Sequence, residues 1–99
     1  MSIAFSKIVK AGNKLREFNF TQASYGLDMS FDIDVVANNE ERITFRMVKN
    51  TDEQWVLLSH NLPEWLENAQ PQLADAINEE IIHNGLPTAK QKHWYHLFR

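Results

Sequence analysis

Residues 29–48 constrain this chain more than any other stretch. Met29, Phe31, Ile33 and Val35 alternate with Ser30, Asp32 and Asp34; further on, Ile43, Phe45 and Met47 alternate with Thr44 and Arg46. A period of two, with β-branched and aromatic residues on one side, describes half-buried strands, here residues 29–37 and 43–48. Parity then restricts their pairing. Residues opposite each other in an antiparallel pair point to the same face. Both apolar sets occupy odd numbers, so opposed residues must share parity. The connection around Asn38, Asn39, Glu40 and Glu41 is therefore three or five residues long, with an asparagine available for a position of positive φ. Either register sets Arg46 opposite Asp32 or Asp34 on the outer face, an ordinary cross-strand ion pair worth about 0.2–1 kcal/mol.

The rest of the chain arranges itself around this hairpin. Residues 3–11 read as a short strand or a turn of helix, because Ile3 and Phe5 alternate while Ile8-Val9 breaks the pattern. Gly12-Asn13 is turn chemistry. Residues 14–21 read as a strand with Phe18 and Phe20 on one face and Leu15 on the other, and residues 22–27, with Gly26, as a link. A polar turn at residues 50–53 leads to Trp55, Val56, Leu57 and Leu58. That strand is apolar on both faces, which calls for burial on both sides or a partner on the second. Asn61 followed by Glu64 fits a capping box, with Pro63 in the first helical turn. Leu66, Ala69, Leu73, Ala76, Ile77 and Ile81 then recur at helical spacing. Pro71 interrupts the run, so the helix is expected to kink or split there, its second part starting near Gln70. Asn84, Gly85, Leu86 and Pro87 supply the stop, a glycine cap with Leu86 reaching back to Ile81.

These elements define an α+β domain over residues 1–99: an antiparallel β-meander of about four strands followed by a carboxyl-terminal helix, kinked or split near Pro71, packed on one face. The 99 residues, 43% hydrophobic and 23% charged, suit a single globular domain with a modest core. Without cysteine there is no disulfide, thiol nucleophile or cysteine metal site. The apolar start is too short for a signal peptide and no run spans a bilayer, which sets the expectation of a cytoplasmic, bacterial-type protein that does not engage membranes.

Charge is unevenly spread. Lys7, Lys10, Lys14 and Arg16 face only Glu17 in the first twenty residues; from Asp28 to Glu80 twelve acids face Arg42, Arg46 and Lys49; beyond Glu80 come Lys90, Lys92 and Arg99. Basic ends around an acidic middle most simply attract one another within the fold or across a dimer.

No motif assembles a catalytic centre. Asp32 and Asp34 share a strand face about 7 Å apart, but the alternation that points them outward already explains them as solvated surface. His93 and His96 would share a helical face, yet a zinc site needs a third and fourth ligand, and His60 and His83 are distant in sequence. Phosphate-binding glycine loops, nucleophile elbows and HExxH are missing from the sequence. The expectation is no cofactor and no metal. Two features do point to partners. The helix carries Glu64, Glu67, Asp75, Glu79 and Glu80 with no Lys or Arg, and Glu79 and Glu80 near its carboxyl end oppose the helix dipole. This is a solubilising face or an acidic surface for a basic partner, the chain's own Lys90 and Lys92 included. The tail, residues 88–99, ends with Trp94, Tyr95, Leu97 and Phe98 among its last six residues, a sticky patch if left in water. It is expected to dock on the uncovered sheet face, near Val36 and Val48, or on a second subunit.

Ser6, Lys7, Ile8, Val9, Lys10, Ala11 and Gly12, followed by Phe18, Asn19 and Phe20, resemble the opening of bacterial PUR-repeat-like proteins. The resemblance implies a four-stranded antiparallel sheet with a helix, dimerisation and binding of nucleic acid. The central strands depart from it, with Asp28, Asp32 and Asp34 where a nucleic-acid platform needs positive charge. The reading that follows is a non-catalytic protein-interaction module or homodimer, with Trp94, Tyr95, Leu97, Phe98, Glu79 and Glu80 as partner-binding residues. A single-stranded nucleic-acid-binding protein is the alternative, and a small-molecule carrier or enzyme the third.

Overall fold

The computed structural model describes residues 3–25, 28–37, 40–59 and 61–84. Among them five strands form one antiparallel meander in the order β1(Ala4–Ala11), β2(Lys14–Tyr25), β3(Asp28–Val36), β4(Arg42–Lys49) and β5(Trp55–Leu57). Two helices follow, α1(Glu64–Glu67) and α2(Gln70–Asn84). The α+β class and the meander-then-helix order are those of the sequence reading, with one strand more. Residues 3–11 resolve into β1. Its odd-numbered side chains turn toward the core and its even ones to solvent, so Ile8-Val9 is one residue for each face. Residues 22–25 do not link strands but prolong β2, pairing with residues 28–31 of β3.

The central hairpin obeys the parity rule. Ile33 lies opposite Phe45, Phe31 opposite Met47, and Asp32 opposite Arg46. The Ala37 N–H donates to the Glu41 carbonyl at 2.7 Å, leaving three residues in the connection. The described residue with positive φ there is Glu40 (+64°), not an asparagine. The β4–β5 turn repeats this plan: Asn50 N–H donates to the Gln54 carbonyl, and Glu53 has φ +63°. A three-residue hairpin loop needs its last residue left-handed. Loop geometry overrides residue preference at both sites.

The core follows the alternation. Phe18, Phe20, Phe31, Ile33, Val35, Phe45, Met47 and Trp55 from the sheet are buried in one cluster with Leu66, Ala69, Leu73, Ala76, Ile77 and Ile81, every residue of the helical run. Phe5 stacks on Phe20 with centroids 4.5 Å apart, and Phe31 meets Phe5, Phe20 and Trp55 edge to face. We call this the inner face of the sheet.

The start of α1 departs from the capping box. Pro63 is the N-cap, with no side-chain cap, and Asn61 sits at φ +63°. The Pro63 carbonyl accepts from the Leu66 and Glu67 N–H groups. The fixed φ of proline suits the entry to a helix, and Asn61 is used for the reversal before it. Gly85, Leu86 and Pro87, the expected stop, lie outside the described residues.

Candidate protein interface

The outer face is built from the even residues of β1, β3 and β4 and the odd residues of β2. A polar belt crosses its middle. Ser6 Oγ donates to Asn19 Oδ1 at 2.6 Å, Asn19 Nδ2 donates to Asp34 Oδ1 at 2.9 Å, and Arg42 pairs with the same carboxylate. Arg46 Nε donates to Asp32 Oδ1 at 2.7 Å. Asp32 and Asp34 are thus more than solvated acids. Each is answered by an arginine one strand away, so the belt carries little net charge.

Beyond the belt, toward the β1–β2 turn, aliphatic side chains stand in water. Ile8 is 66% exposed, Leu15 74% and Val36 44%. Cross-strand spacing groups them: Ile8 and Val36 flank Glu17 from either side, and Leu15 is diagonal to both. Val48 and Val56, which pair on the same face at the other end, are half-buried, and Leu58 is 52% exposed. No aromatic side chain among those described lies on this face.

The two edges of the sheet differ. β5 has three residues, and its Leu57 N–H, turned away from β4, donates to Gln70 Oε1 of α2 at 3.3 Å. β1 has eight residues. The Ile3 carbonyl accepts from the Gln22 N–H, so odd residues of β1 bond to β2 and the N–H and C=O groups of Ala4, Ser6, Ile8 and Lys10 point outward. The side chains of these four are exposed.

The acidic helix face is partly answered within the fold. Lys7 Nζ meets Glu79 Oε1 at 2.8 Å. The hydrogen bond to Glu79 and then that carboxylate's charge raise the Lys7 ammonium above its ordinary pKa, and the same contacts lower Glu79 below the usual carboxylate value. Glu80 is half-buried on α2. The other expected partner residues, Trp94, Tyr95, Leu97 and Phe98, lie outside the described residues, as do Lys90, Lys92, His60, His93 and His96. No group of three metal-ligating side chains forms among the described residues.

Arg16, one of the four bases among the first twenty residues, does not join a basic surface. It is 7% exposed, its guanidinium lies 3.9 Å from the centre of the Trp65 ring, and its Nε donates to the Ala11 carbonyl at 2.9 Å. The sequence held a signal for it: Arg16 shares parity with Phe18 and Phe20. Beside it, Gly12 and Asn13 form the two-residue β1–β2 turn, both with positive φ, and a Cβ on Gly12 would lie 2.9 Å from Trp65 Cβ. A cleft of about 210 Å³ between this turn and Trp65 and Asn68 is smaller than the roughly 300–1,000 Å³ of ligand pockets.

The fold and these surfaces define an α+β protein with one sheet face buried under the helices and, among the described residues, no helix over the other. Comparison of the chain with protein-family models, with curated proteins and with solved structures found no match. No described helix is long and apolar enough to cross a membrane.

Proposed function

We propose that this chain is a non-catalytic protein-interaction module that acts as a small homodimer, with its helical run, split before Pro71, packed on one face of the sheet and the other face left for partners. The observation that supports the reading is the outer face, where Ile8, Leu15 and Val36 are exposed together while the inner face of the same strands is buried. Exposed apolar clusters rimmed by polar groups are characteristic of protein contact surfaces. The aromatic tail belongs to this reading as the second contact element, docking through Trp94, Tyr95, Leu97 and Phe98, with Glu80 and the Lys7–Glu79 pair at the acidic helix end near Lys90 and Lys92.

Single-stranded nucleic acid, which the PUR-repeat-like resemblance implies, is the weaker reading. Such platforms combine base-stacking aromatics with a cationic groove. Here the described aromatics of the strands join the core, Lys7 is paired with Glu79, and Arg16 is buried under Trp65. Removing residues 93–99 and measuring thermal melting and solution mass tests the proposal. A lower melting temperature or a loss of dimer is expected; an unchanged melt and mass would take the tail out of the structure and leave it as a peptide for another partner.

A further inference from the structure

We infer that the β1 edge is the self-association surface, two copies pairing their β1 strands antiparallel about a two-fold axis at Ile8; this rests on the homodimer reading. Among the described residues no strand pairs with the outer edge of the eight-residue β1, an open template for another strand, and the opposite edge is too short and too well capped by Gln70 to serve. The occupant follows from the strand itself.

In a two-fold antiparallel pairing opposed residues share a face, so only registers that match parity are allowed. Two of these use seven residues of β1. One sets Lys7 directly against the partner's Lys7, in the closely spaced type of pair, where like charges repel. The other sets Ile8 against the partner's Ile8, Lys7 against Val9, Ser6 against Lys10 and Phe5 against Ala11, with no like-charge pair. In that register the bonding residues are Ser6, Ile8 and Lys10, whose N–H and C=O groups point outward. Ile8 would be a hydrogen-bonded pair on the axis, and its 66% exposed side chain would cover its twin, joining the two outer-face aliphatic clusters across the dimer. The strand is complementary to itself in one register. Because edge pairing buries less than a standard interface of about 1,600 Å², the association is a concentration-dependent equilibrium.

The chain has no cysteine, so single-cysteine variants of the full chain read the contact cleanly. Hydrogen-bonded partners have Cα atoms about 5.5 Å apart, within disulfide reach. Ile8→Cys should therefore oxidise to a covalent dimer at least tenfold faster than Leu15→Cys, which is no less exposed but sits one strand further from the axis and two residues along it on each side, roughly 20 Å apart at strand spacing and rise. Ile8→Lys should weaken dimerisation in sedimentation at least tenfold without changing the melting temperature of the monomer. A dimer that survives Ile8→Lys, with equal oxidation rates for the two cysteine variants, would overturn the edge assignment while leaving the homodimer reading intact. A chain that stays monomeric at millimolar concentration would overturn both. Faster Ile8→Cys cross-linking only after removal of residues 93–99 would assign the edge to the chain's own tail instead.

Discussion

The two faces of the sheet are made of the same strands and differ only in which alternate residues they present. The inner face is aromatic and aliphatic, buried, and tied to the helices by side-chain hydrogen bonds such as Trp55 Nε1 to Asn78 Oδ1 at 3.0 Å. The outer face is a belt of paired charges with aliphatic side chains left exposed at one end. Burial explains the apolar residues on the first. On the second it accounts for the belt but not for the exposure of Ile8, Leu15 and Val36 as one apolar group. A residue type that monomer stability does not require is where a partner is to be sought.

The sharpest way to break this contrast is to truncate one residue on each face. Phe45→Ala should cost about 3–5 kcal/mol, a large part of the stability of a small domain, whereas Leu15→Thr should stay within about 0.5 kcal/mol. Urea denaturation midpoints decide it; equal midpoints would erase the distinction between the faces.

Arg16 tests the buried charge on the inner side. Arg16→Met keeps apolar bulk under Trp65 but removes the hydrogen bond to the Ala11 carbonyl, so a loss of about 1–3 kcal/mol is expected. An unchanged melting temperature would return Arg16 to the surface basic set.

A smaller effect comes from the belt. A double-mutant cycle with Asp32→Asn and Arg46→Gln should give a coupling of about 0.2–1 kcal/mol that shrinks in high salt. A larger, salt-insensitive coupling would mean that the outer face is covered in solution.

The Lys7–Glu79 pair should give the smallest effect, read by titration. Glu79's lowered pKa contributes stability that is present above the ordinary carboxylate value and lost as pH falls through its folded value. Lys7's raised pKa contributes stability present below the ordinary lysine value and lost as pH rises past its folded one. Stability from this pair is therefore flat across neutral pH. In Lys7→Gln, NMR titration of Glu79 should move its midpoint up toward the ordinary value, and an unmoved midpoint would remove the pair.

What the sequence determined by itself was periodic. Alternation at residues 29–48 set two strands, their shared face and the odd length of their connection; helical spacing from Leu66 to Ile81 named six residues that are all buried. Both signals are local, because a strand repeats every two residues and a helix every 3.6. Where side-chain chemistry and backbone geometry competed, the sequence misled: Asn61 looked like a cap but makes a left-handed reversal, and Glu40 takes the conformation expected of an asparagine. Only the tertiary structure decided that Trp65 covers Arg16, that Lys7 reaches Glu79 seventy-two residues away, and that Gln70 seals one sheet edge while β1 forms the other edge of the described sheet. Those contacts join residues whose spacing in the chain carries no periodic trace. They exist because the meander and the returning helix bring distant stretches within hydrogen-bond range, a relation that no local pattern encodes.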